Sequence, residues 1–128
     1  METPGKAAAW TGRVLSVLVT LPFAMGAVMK LTVNPKVIEG MGKMGLPTSL
    51  ILTIGILEAL CVVTYLIPPT AVLGAILLTG FLGGAILTHL RVGEAVPMQV
   101  TLGVLAWLAL YLRDPRLRRL LPFRKKAD

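Results

Sequence analysis

The chain has 128 residues, of which 55% are apolar and 15% charged, with a mean hydropathy of +0.81; that profile excludes an ordinary soluble domain and belongs to membrane proteins. The formal charge of +7 is a property of the tail, because seven of the 13 Lys and Arg residues lie within positions 113–128, and with aromatics at 5% the chain lacks the stacking surfaces of a nucleic-acid binder. A single cysteine, Cys61, rules out an intrachain disulfide, a paired-cysteine redox motif and a cysteine metal cluster.

Four apolar runs follow one another, at 14–29, 46–67, 71–90 and 96–112. Crossing the hydrocarbon takes about 20 helical residues. The second and third runs meet that length directly. The first and fourth meet it if residues 7–13 extend the first helix and Arg113 ends the fourth, with Arg13 and Arg113 reaching to the headgroups. Helices apolar all round need lipid, or a core larger than this chain can build. After the first run, Asn34 can cap a short helix begun by Pro35, with Val37, Ile38, Met41 and Met44 at helical spacing; an amphipathic helix lying in the interface is expected there. Gly45 and Pro47 end it. Pro68 and Pro69 stop the second span and Thr70 can cap the third, which makes a tight hairpin. Gly93 and Pro97 separate the third span from the fourth.

The spacing therefore predicts an all-α polytopic membrane protein, an antiparallel four-transmembrane-helix bundle. It forms one domain over residues 1–128, with spans at 10–31, 47–67, 71–90 and 96–113 and a basic tail at 113–128. Lys6, Arg13 and the seven tail cations share one side, against Lys30, Lys36, Lys43 and Arg91 on the other. The positive-inside rule then sets both termini in the cytoplasm and the chain in the cytoplasmic membrane. Lys6, Arg13 and the small residues around Met25 also resemble a cleavable signal peptide, but its removal would leave three spans without a fourth wall. In the tail, Asp114 as a cap and Leu117, Leu120 and Leu121 on one side predict a short basic helix. Residues Arg113 to Lys126 would lie against the anionic inner leaflet.

Inside the spans, Glu58 is the leading functional residue. It falls near the middle of the second span, where a carboxyl group must be protonated, paired or hydrated and must face the interior. Helical spacing puts Pro22, Gly26 and Lys30 on one stripe, Gly80, Gly84, Thr88 and Arg91 on another, and Gln99, Gly103 and Ala106 on a third. Counted from the inner ends, Lys30, His89, Arg91 and Gln99 fall near the outer mouth. The result is a funnel opening outward above Glu58, with Lys30, Glu58, Thr88, His89, Arg91 and Gln99 as candidate ligand-binding residues. Plain structural readings stand beside this one: Glu58 suits a protonated acid in an interhelical hydrogen bond, His89 an interfacial histidine, Gly80, Gly83 and Gly84 close helix packing, Lys30 and Arg91 headgroup anchoring, and Cys61 inert packing.

The ordered set Gly-Ala-Val-Met-Lys-Leu (26–31), Ile-Gly-Ile-Leu-Glu (54–58), Gly-Ala-Ile-Leu-Leu-Thr-Gly-Phe-Leu-Gly-Gly-Ala (74–85), Thr-His-Leu-Arg (88–91) and Leu-Arg-Asp-Pro-Arg (112–116) resembles the DoxX-like family of small membrane proteins. The resemblance implies a four-helix membrane bundle, with Lys30, Glu58, His89 and Arg91 as its polar set. It also implies relatives in thiosulfate:quinone oxidoreduction, in mycobacterial membrane redox complexes and among eukaryotic assembly chaperones. No catalytic assignment comes with it, and no metal or cofactor is required by the sequence. The expected role is a binding or accessory subunit of a membrane redox or quinone-linked complex, with a quinone or lipid-like ligand. A small proton-coupled transporter and an assembly chaperone are the alternatives. Expected partners are the bilayer and a membrane protein or a second copy, with no nucleic acid.

Overall fold

The computed structural model describes residues 5–124, so Lys125 and Lys126 of the expected tail lie outside the described residues. Five α-helices follow in order: α1 (Lys6–Leu31), α2 (Pro35–Lys43), α3 (Ile51–Leu66), α4 (Ala71–Arg91) and α5 (Pro97–Arg113). Three stretches are long and apolar enough to cross a membrane, namely Lys6–Leu31, Thr48–Leu66 and Pro68–Arg91. Lipid is also what their outer faces require, since Leu18, Met25, Leu60, Leu73 and Leu87 are exposed in a pattern far larger than a soluble surface carries. The chain is a helical membrane protein.

Helix α1 packs on α3 and α5, and α4 closes the ring against the same two helices. Contacts are tightest at the end where α3 turns into α4. Here Tyr65 is fully buried, its hydroxyl donates to the Ala106 carbonyl at 2.5 Å, and the Arg113 guanidinium donates to the Tyr65 carbonyl at 2.6 Å while lying 4.9 Å over its ring. Gly12 and Gly74 let the backbones close in: a methyl group at Gly12 would lie 2.7 Å from the Ala109 carbonyl oxygen, and one at Gly74 would overlap the backbone of Tyr65. Ser16 and Thr20 donate to carbonyls one turn back, at 2.7 and 2.9 Å. Every buried polar group in this apolar setting needs such a partner. Tyr65→Phe is expected to lower the thermal unfolding midpoint in detergent by an amount equivalent to about 1 kcal/mol, the usual worth of one hydrogen bond.

Three helix ends at the opposite pole share one device. α1, α2 and α4 each close with paired backbone hydrogen bonds, Asn34 to Met29, Leu46 to Met41 and Glu94 to His89 being the outer bond of each pair. This motif requires a left-handed residue just past the helix. Gly45 (φ +74°) and Gly93 (φ +80°) fill it freely, whereas Val33 adopts φ +51°, a strained choice for a β-branched side chain.

Several local expectations change. Thr70 precedes α4 but does not cap it; its hydroxyl donates to the carbonyls of Thr64 (2.8 Å) and Ile67 (3.3 Å), because the turn Pro68–Thr70 folds it back over the end of α3. Arg113 does not reach for headgroups but points inward to Tyr65, where the orphan carbonyls at the end of α3 need donors. The expected basic tail helix is only a 3-10 turn, Leu117–Arg119, since Pro115 and Pro122 leave too few residues between them for a stable α-helix. Leu117 is buried against the core, and Arg118 donates to the carbonyls of Tyr111 (3.0 Å) and Leu112 (2.9 Å), capping α5.

Candidate functional site

The packed core occupies the half of the protein around Tyr65; the other half encloses a cavity of about 630 Å³. Its floor is an aromatic pair, Phe23 of α1 and Phe81 of α4, edge to face with ring centroids 6.5 Å apart. Its walls come from α1, α3, α4 and α5, and α2 covers the top with Val37 and Met41, joined by Met44 just past its end. As expected, Asn34 caps α2 by accepting from the Lys36 amide at 2.9 Å. Ile38 is exposed instead of joining the covering face.

Of the six residues singled out in the sequence, Lys30, Glu58, Thr88, His89 and Gln99 all line this cavity. Glu58 is 4% exposed and accepts from the Lys30 ammonium at 2.6 Å through Oε2. Counting rises along each helix separates these two in height, yet they meet. Side chains on a helix lean toward its N-terminus, so Lys30 leans down from the end of α1 while Glu58 leans up from the middle of α3. Room for the pair comes from two glycines. A methyl group at Gly26 would lie 2.8 Å from Glu58 Oε1, and one at Gly55 would lie 2.8 Å from Lys30 Cβ.

His89 lies higher, with Nδ1 2.7 Å from the Ala85 carbonyl and Nε2 3.8 Å from Glu94. The carbonyl can only accept, so Nδ1 carries the proton in that bond. In the neutral imidazole Nε2 is then an acceptor. Thr88 donates to the Gly84 carbonyl at 2.7 Å. Arg91 stands apart from the cavity wall and donates to the Met44 carbonyl, with its guanidinium beside Gly45. It holds the end of α2 in place over the cavity.

Three glycines of α4 also depart from expectation. A methyl group at Gly80, Gly83 or Gly84 would meet nothing within 4 Å, so among the described residues none of them mediates close helix packing. Gly80 and Gly84 instead form cavity wall. Sequence reasoning passed over Gly55 and the Phe23–Phe81 floor. The signal for Gly55 was present, three residues before Glu58, just as Gly26 stands four residues before Lys30.

A cavity with apolar walls, one ion pair and a few hydrogen-bonding groups suits an amphipathic small molecule with a neutral or zwitterionic polar end, because Lys30 and Glu58 cancel. A family model described as the DoxX-like family matches residues 14–111, which includes every residue lining the cavity. No curated protein and no solved structure gives a match.

Proposed function

The chain belongs to the DoxX-like family, and on that premise we propose that it is a ligand-binding accessory protein of a membrane complex, holding a quinone or other lipid-like molecule by its polar end at Lys30 and Glu58. The observation that carries this reading is the cavity itself, about 630 Å³ with a buried ion pair on its wall. A buried pair is a poor device for stability alone, because apolar residues of the same size often do as well. An ionisable residue at this depth marks a site by default. The binding set is Lys30, Glu58, Thr88, His89 and Gln99, with Arg91 acting through α2.

In this reading α5 is a fourth span and the four long helices form an antiparallel bundle. Its 17 residues give about 25 Å at 1.5 Å per residue, a mismatch that local thinning absorbs. Both termini face the cytoplasm, as the bias of Lys and Arg toward that side supports. The exposed Arg116 and Arg119 would contact the anionic leaflet. With Cys61 replaced by alanine, Gly42→Cys is expected to react with an impermeant maleimide on intact cells, and Phe123→Cys only after permeabilisation; the opposite pattern would invert the topology.

Native mass spectrometry of the full chain, extracted from its membrane, tests the binding role. Wild type is expected to carry a small-molecule adduct that Glu58→Gln loses while keeping its fold by circular dichroism. A wild type free of adducts would count against the reading.

A further inference from the structure

Resting on the binding role above, a second question is how a molecule reaches the cavity. Its top is covered by α2, which carries Lys36, Glu39 and Lys43 on the side away from Val37, Met41 and Met44. Arg91 fastens this cover through the Met44 carbonyl. A helix held at both ends by left-handed turns, at Val33 and Gly45, thus lies over this end of the cavity.

The side facing lipid differs. α3 and α4 touch closely where Gly74 meets Tyr65, and beyond it one face of α4 is open: Gly80 and Gly84 are exposed and have open space where a side chain would stand. Across from them α3 offers Ile54 and Leu57, the latter 51% exposed although it lines the cavity. The cavity wall is therefore incomplete between α3 and α4, on an exposed apolar face of the bundle.

A second, independent feature lies inside. Glu58 uses Oε2 for Lys30, and Oε1 has no hydrogen-bond partner among the described residues while remaining open to the cavity rather than sealed. A carboxylate oxygen is an acceptor, so the group that completes it must donate.

We infer that the ligand is an amphiphile dissolved in the bilayer, that it passes sideways between α3 and α4 over Gly80 and Gly84, and that its polar end donates a hydrogen bond to Glu58 Oε1. A hydroxyl or amide N–H on an apolar body meets these requirements. The small residues of α4 are then the sill of the opening, and their lack of side chains is what keeps it passable.

The test uses the full chain in phosphatidylcholine nanodiscs with 4-dodecyl-2-fluorophenol as probe, followed by fluorine exchange spectroscopy, which reads the bound fraction and the exchange rate together. The methyl ether of the same phenol lacks the donor. Wild type is expected to bind the phenol at least about tenfold better than the ether, the size of one charge-assisted hydrogen bond. Gly84→Leu is expected to slow exchange about tenfold while changing the bound fraction less than about threefold, because an obstructed passage alters both directions equally. Gly80→Leu should act likewise. Gly83→Leu adds the same bulk to α4 outside the cavity wall and should exchange as wild type does. Wild-type exchange in both Gly84→Leu and Gly80→Leu would overturn the lateral route, and so would a loss of bound probe with faster exchange, which means the site was filled. Equal binding of phenol and ether would overturn the donor assignment. If neither probe binds, this inference fails, whereas the binding role stands or falls separately on the adduct that Glu58→Gln should lose.

Discussion

Lys30→Met is expected to destabilise the protein by about 3 kcal/mol, the lower part of the range for removing one member of a buried ion pair. The Glu58 side chain is only 6% exposed and its bond to Lys30 is 2.6 Å long. Without the ammonium, the buried carboxylate has no ion-pair partner among the described residues. The Lys30→Met/Glu58→Gln double variant removes both charges and is expected to recover most of the loss. Gly26→Ala should resemble the single variant more mildly, since its new methyl group would press on Glu58 Oε1 and wedge the pair apart. Thermal unfolding in a single detergent measures all three. If the double variant is as unstable as Lys30→Met, the pair is not a coupled unit and the cavity loses its polar anchor.

Gly74→Ala is expected to be at least as damaging, at or above about 3 kcal/mol, the upper end for overpacking. The atoms that its methyl group would meet are the backbone of Thr64 and Tyr65, and no rotamer change can move them aside. α3 and α4 would have to separate at the place where Tyr65 ties α5 and Arg113 into the core. Gly83→Ala, on the same helix, meets nothing and should be neutral or stabilising by up to about 1 kcal/mol through helix propensity. Equal stability of the two alanine variants in the same unfolding assay would show that α3 and α4 do not pack as described.

Hydropathy and the proline and glycine punctuation located every long helix to within a few residues, because lipid leaves so few alternatives for the backbone. Glu58 was legible as a buried carboxyl group for the same reason. Its partner was not, because helical rise assigns a height to a Cα atom, whereas Lys30 carries its charge several bonds away in the direction that its helix tilts it. The glycines were misleading for a different reason. Gly74 and Gly84 look alike in the sequence, but only the three-dimensional path decides that one lies against a neighbouring backbone and the other beside open space. Tail arginines are ambiguous in the same way: Arg113 and Arg118 serve carbonyls of α3 and α5, and composition alone cannot separate such internal donors from cations meant for lipid.

The half of the protein above Phe23 and Phe81 is proposed to hold a molecule at Glu58. An experimental density map of the full chain, extracted with its native lipids and without detergent, tests it most directly. Non-protein density is expected between the aromatic floor and α2, with one end within hydrogen-bonding distance of Glu58 Oε1. A map in which α4 and α2 have closed on α3, leaving no space around an intact Lys30–Glu58 pair, would contradict it.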